Sequence, residues 1–145
     1  MPALLLDRFA HAARALCDAL ETSTYTETLA AGIAEVLSLA EQLPACEPTS
    51  GAPEPAEPPP WSPTALPFDL YWVVLDPLAD TPGEVAAGSL HDDLTDLRAD
   101  LRAGLDLYDL GFAEDAGHSW RHAYRTHWGA HAHGALWALS HHRRS

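Results

Sequence analysis

The sequence predicts an all-α protein, an antiparallel bundle of four main helices, and three observations carry that expectation. Two N-terminal segments repeat apolar residues at helical spacing. A third, from Leu90 to Tyr108, carries an unbroken leucine stripe. Two Ser/Thr-x-x-acid patterns stand where helices should begin, and Pro44 stands where one should stop. At 145 residues the chain is long enough to bury a core, and one domain over 1–145 is expected.

The first helix is predicted over about residues 3–21. Leu5, Leu6, Phe9, Ala13, Leu16, Cys17 and Leu20 share one face, while Arg8, His11, Arg14 and Asp18 fall on the other. Thr24-Tyr25-Thr26-Glu27 is a capping box opening the second helix, which runs through Leu29, Ile33, Val36, Leu37, Ala40 and Leu43 to Pro44. Residues 44–67 hold nine of the twelve prolines, so this stretch reads as an extended, polyproline-like loop within the domain. Phe68 to Leu75 is a short apolar run, read as a short helix because no second strand is evident to pair with it. Asp76 to Gly88 reads as loop.

Ser89-Leu90-His91-Asp92 is the second capping box. Behind it Leu90, Leu94, Leu97, Leu101, Leu105 and Tyr108 line one side of a third helix. Gly111 and Gly117 bracket a turn into the last helix, expected at about 118–142.

Charge is distributed unevenly. The chain carries a formal −13 and no lysine, which disfavours nucleic acid and anionic membranes as partners. Residues 116–145 contain no acid, yet hold four arginines and seven of the nine histidines. Residues 76–115 hold eleven of the twenty-one acids. No segment approaches the roughly 20 apolar residues of a membrane span. The apolar N-terminal stretch is too short for a signal sequence, so a cytoplasmic location is expected. Two cysteines, Cys17 and Cys46, are too few for a disulfide framework, and Cys17 reads as a core residue.

Placed at about 100° per residue, Asp93 and Asp100 lie at one margin of the leucine stripe, with Asp96 slightly further out. Arg98 and Arg102 lie at the other margin. On the last helix Trp120, Tyr124, His127, His131, Ala135 and Ala138 share a face, with Trp128 at its edge. His127 and His131 are therefore expected to point inward, at the i, i+4 spacing that lets two imidazoles reach one ion. His118, His122 and His133 point away, and His141-His142-Arg143-Arg144 reads as a frayed end.

Several uses of this Asp/His seam stay open. It is a structural network of Asp93, Asp96, Asp100, His127 and His131 with Trp120, Tyr124 and Trp128. Alternatively the same five Asp and His residues hold a divalent metal such as zinc, manganese or iron, bound for hydrolysis in a metal-dependent hydrolase. An Asp–His pair could also act as a general base without metal. Arg121 and His127, six residues apart, resemble the Arg…His motif of the dimeric helical HEPN ribonucleases, although the acidity opposes an RNA substrate. The leading expectation is a binding or interaction module, partnered by a second copy or by another protein.

The stretch Gly88-Ser89-Leu90-His91-Asp92-Asp93-Leu94-Thr95-Asp96-Leu97, with Asp100-Leu101 and Gly104-Leu105, is followed by Trp120-Arg121 and His127-Trp128-Gly129-Ala130-His131. This pattern resembles a bacterial domain-of-unknown-function family, number 5063. Phe9, Cys17 and Glu21 and the Tyr71…Asp76-Pro77 segment fit it too, while Leu97-Arg98-Ala99 departs from its bulkier pairing. The resemblance implies a small helical bacterial protein with no established activity.

Overall fold

The computed structural model describes residues 2–22, 26–49, 51–55, 57–81 and 83–144. Among them the order is α1 (Pro2–Thr22), α2 (Thr26–Ala40), β1 (Leu70–Val74), β2 (Val85–Ser89), α3 (Leu90–Asp109), α4 (Ala113–Ala123), a π-helical turn (Tyr124–Trp128) and α5 (Gly129–Arg144). The last three run on without a break, so the protein is mostly helical, with four helices and one small sheet.

Helix α1 packs against α2 and α3, and α3 and α2 each pack against the last helix. The faces marked by the apolar repeats meet in one core. Phe9, Leu16, Ile33, Val36, Leu94, Leu97, Leu101, Trp120, Trp128 and Leu139 are all fully buried there. Burying each such side chain contributes about 1.5–3 kcal/mol, which the ordering of the chain largely offsets. The burial raises the Cys17 thiol to about 11, which keeps it protonated and inert. On the far flank of α3, Glu21 of α1 accepts from Arg98 Nε and Arg102 Nη2, each at 2.8 Å. Burial pushes the Glu21 carboxyl up, but those two bonds outweigh it and hold it below the ordinary carboxylate range.

Three expectations need correction. The run 68–75 is not a helix. Residues 70–74 form a strand paired antiparallel with β2, whose residues 85–88 lie inside the stretch read as loop, with Ser89 just beyond it. Val85-Ala86-Ala87 hid this partner, because small residues without alternation carry no strand signal. Secondly, the last helix begins at Ala113, not near 118. Gly111, at φ 94°, makes the turn alone, and Gly117 is buried inside α4. Thirdly, the helix continues to Arg144, so the histidine-rich end is not frayed. Phe68 packs on His142 at 5.1 Å between ring centroids.

The capping box at Ser89 is present: its Oγ accepts from Asp92 N at 3.2 Å. The one at Thr24 lies outside the described residues. Among the described residues between Pro44 and Asp69 there is no helix or strand. This stretch is nonetheless held down, because Trp61 and Leu66 pack against the core and Arg98 lies 5.1 Å from the Trp61 ring.

The π turn decides where the last helix puts its side chains. The buried apolar side chains of that helix include Ala116, Trp120, Trp128, Ala132, Ala135, Ala138 and Leu139. In a plain α-helix the eight residues from Trp120 to Trp128 overshoot two turns by about 80°. The extra residue taken up by the π turn removes about 100° and brings Trp128 back to the core. Gly129 closes that turn by donating its N–H to the Tyr124 carbonyl. A Cβ at 129 would stand 2.3 Å from that same oxygen, so the π turn requires glycine here.

Candidate metal centre

The site lies where the N-terminal two-thirds of α3 faces the start of α5, with the hairpin across its end. Asp69, just before β1, fixes the start of α3. Its Oδ1 accepts from His91 N at 2.9 Å and from Ser89 Oγ at 2.8 Å. These donors hold its carboxyl below the ordinary range. The helix that presents Asp93, Asp96 and Asp100 is thereby anchored to the strand that presents Tyr71.

Tyr71 projects from the inner face of the hairpin, where it passes between two glycines. A Cβ on Gly88 would stand 2.5 Å from its ring, and one on Gly134 would stand 2.4 Å from its hydroxyl. Through that slot the hydroxyl donates to Asp93 Oδ2. The other carboxylate oxygen, Oδ1, accepts from His131 Nδ1 at 2.8 Å. Asp93 is buried, and burial pushes its carboxyl above the ordinary range despite these two partners. Burial and the Asp93 bond together push the Tyr71 hydroxyl well above its ordinary range, so it stays a donor.

One turn further along, His127 Nδ1 donates to Asp100 Oδ2 at 2.6 Å. This bond raises the imidazole's proton affinity, against an opposing contribution from partial burial and with support from the Asp100 and Asp96 charges. In both histidines Nδ1, which makes the short hydrogen bond to a carboxylate, carries a proton, since a carboxylate only accepts. That leaves each Nε2 to face the third acid. Asp96 Oδ2 stands 3.2 Å from His131 Nε2 and 3.8 Å from His127 Nε2. Asp96, His127 and His131 offer ligand atoms all within 4.8 Å of one another. The two rings meet edge to face at 4.9 Å.

Bonds of about 2.0–2.1 Å around a tetrahedral ion put ligand atoms about 3.3–3.4 Å apart. The Asp96–His131 separation already matches. His127 must close by a few tenths of an ångström or more, and its half-exposed ring has room to turn. The two Nδ1–carboxylate bonds reproduce the outer-shell arrangement that orients imidazole ligands around metals. The five candidates of the sequence thus divide into three converging groups and two that hold them.

The expectation that His127 points inward is corrected. Asp93 is buried, but the His127 side chain is 47% exposed and that of Asp96 40%. The reason is the π turn, which rotates Trp128 into the core and swings His127 outward relative to a constant 100° step. The aromatic members of the expected network also stand apart. Trp120 Nε1 donates to the Leu101 carbonyl at 3.2 Å and Trp128 Nε1 to the Trp120 carbonyl at 3.0 Å. Tyr124 donates to Glu41, just after α2, and burial with that bond raises its hydroxyl to about 12. Tyr71 was not among the sequence candidates. The uniformly apolar run Leu70 to Val74 carries no alternation that would have singled it out. Arg121 does not join His127: it lines a separate concavity with Cys46, His118, His122 and Arg125.

The outer carboxylates give a first expectation. Where the cluster holds zinc, Asp100→Ala should weaken the binding by about 10- to 100-fold while leaving one bound ion, because it removes only the carboxylate that orients the His127 ring. Isothermal titration would check this, and an unchanged affinity would remove Asp100 from the site. A second concerns pH. In metal-free protein the His127–Asp100 pair stabilises the fold below the unfolded imidazole pKa of about 6.5, and that contribution is lost as pH rises through the higher folded value. Metal requires the neutral imidazole, so zinc stabilisation should instead grow with pH. Thermal melts at acid and alkaline pH, with and without zinc, should therefore show opposite slopes. Parallel slopes would mean that zinc and the His127 proton do not compete.

Fold and seam together define a mostly helical protein with a half-open His/Asp cluster on one side of its core. Residues 65–145 match the family described as "Domain of unknown function (DUF5063)", and the chain belongs to that family. The matched stretch takes in the hairpin, α3 and the whole last helix, and so every residue of the seam. Helices α1 and α2 lie outside it. No curated protein and no solved structure matches the chain. No helix among the described residues is long and apolar enough to cross a membrane.

Proposed function

We propose that the chain is a binding module whose Asp/His seam takes one divalent transition-metal ion. We read residues 1–145 as one domain and its four helices as one antiparallel bundle, with α3 and the last helix supplying the site. Asp96, His127 and His131 are the ligands. Asp93 and Asp100 fix the imidazole tautomers, and Tyr71 fixes Asp93. The observation that carries this reading is the sorting of ring nitrogens: both Nδ1 atoms are tied to carboxylates while both Nε2 atoms face Asp96 Oδ2. A network serving stability alone would gain more from burial than from leaving Asp96 and His127 half in water. Ligation by two imidazoles and a carboxylate suits zinc, manganese or iron, and no thiolate stands among these ligands.

A metal-dependent hydrolase is the second reading. It is favoured by one feature, that three protein ligands leave a position open on the solvent side, as catalytic rather than structural zinc sites do. Elemental analysis of gently purified, untagged protein tests the primary reading. Near-stoichiometric metal, or a clear rise in melting temperature on adding zinc or manganese, is expected. No metal and no thermal response would leave the seam a structural Asp–His network.

A further inference from the structure

We propose that a second site, on the face of α4 bearing His118, binds a small organic anion through a phosphate or carboxylate group. His118, Arg121, His122 and Arg125 recur at i, i+3, i+4 and i+7, so one helical face presents four cationic or protonatable side chains. They line a concavity of about 110 Å³ whose remaining wall is Cys46, from the proline-rich stretch. His118 Nδ1 donates to the Cys46 carbonyl at 3.1 Å, which fixes that ring and leaves its Nε2 facing elsewhere. The His118 and His122 rings lie parallel, 5° apart in plane, with centroids at 6.0 Å.

This arrangement is costly without a counter-ion. Like charges at i, i+4, as in Arg121 and Arg125, destabilise a helix. The helix runs on to Arg144, so no helix C-terminus lies here to stabilise them. In a chain of net charge −13, neither arginine has an ion pair among the described residues. The acids at the start of α4 do not neutralise them. Asp115 is occupied by Thr49, whose N and Oγ1 donate to it at 2.6 and 3.0 Å, and Glu114, whose charge reaches Cys46 as that of Arg121 does, makes no ion pair with either arginine. Two unpaired guanidiniums beside two imidazoles form the fork that carboxylates and phosphates accept.

The concavity also has somewhere to put the rest of a ligand. His118 and His122 form one wall of an adjoining groove of about 390 Å³, between the proline-rich stretch and the last helix. That volume lies within the range of small-molecule sites. Thr49 and Ser119 line it with hydroxyls, Ala52, Leu107 and Ala123 with apolar surface, and Glu54 and Asp115 with carboxylates that exclude a second negative charge from the body. An anionic head on the arginines and a neutral, partly hydroxylated body in the groove is the ligand this shape accepts. A polyanion is excluded by the acidity of the remaining surface.

Titration calorimetry at low salt with inorganic phosphate, acetate and glycerol 3-phosphate tests the assignment. Saturable binding is expected, with glycerol 3-phosphate tighter than phosphate because its body fills the groove. The ratio of phosphate to acetate affinity tells which head group the site prefers. Arg121→Gln/Arg125→Gln should weaken binding by about tenfold or more, while His127→Ala/His131→Ala should bind the anion as the parent does. Failure of all three probes to bind at tens of millimolar would overturn the proposal. So would equal binding by the arginine variant. Loss of binding in the histidine variant instead would place the anion on the seam.

Discussion

His127→Ala/His131→Ala is expected to abolish metal uptake and leave the fold standing. Two of the three proposed ligands go, and one aspartate offers too few donors to hold a transition-metal ion against water, so affinity should fall by several orders of magnitude. The fold should survive because neither imidazole belongs to the core: His127 is about half exposed and His131 about a quarter. The cost should come from Asp93, which is buried and keeps only Tyr71 as a partner, at about 1–3 kcal/mol. Circular dichroism and elemental analysis on one preparation would check both halves. A folded variant that still carries stoichiometric metal would place the ion elsewhere.

Gly129→Ala should damage stability and metal binding together, although residue 129 touches no proposed ligand group. Its Cβ would meet the Tyr124 carbonyl oxygen at 2.3 Å and the Tyr124 ring at 2.9 Å. Backbone cannot yield as a side-chain tip can, so the π turn must open or revert to α-helical spacing. Either change rotates Trp128 and everything after it against α3. Overpacking of a fixed core costs about 1–3 kcal/mol, and removing a buried tryptophan from its place costs about 3–5 kcal/mol. His131 rotates with Trp128 and moves off Asp93 and Asp96, so zinc affinity should fall in parallel. Urea denaturation and zinc titration of the same variant separate the outcomes. Normal stability with normal zinc affinity would mean the π turn does not set the register of the site.

Much of the fold was legible because its helices carry strong periodic signals. The stripe from Leu90 to Leu105 is fully buried, and Ser89 caps its helix. The match ended where a regular period ended. Tyr124 to Trp128 shows no compositional mark of a π turn, so stepping at 100° placed His127 inward and Trp128 at the edge, the reverse of what the turn produces. The hairpin was hidden because β2 is mostly small residues and its partner reads as an apolar run of either kind. With the hairpin went Tyr71. Asp93, Asp96, Asp100, His127 and His131 nevertheless come together, because acids at i, i+3 and i+7 facing histidines at i, i+4 mark a place whatever the local rotation. What spacing could not give was their division of labour. That depends on which ring nitrogen meets which carboxylate, and only the packed helices fix it.

Zinc-edge X-ray absorption on protein loaded with one equivalent of zinc reads whether Asp96, His127 and His131 surround one ion. Two imidazole nitrogens at about 2.0–2.1 Å and a carboxylate oxygen at about 2.0–2.2 Å are expected, with the remaining position filled by water. The imidazole scattering should vanish in His127→Ala/His131→Ala. An oxygen-only shell in the parent protein, or one unchanged in that variant, would contradict it.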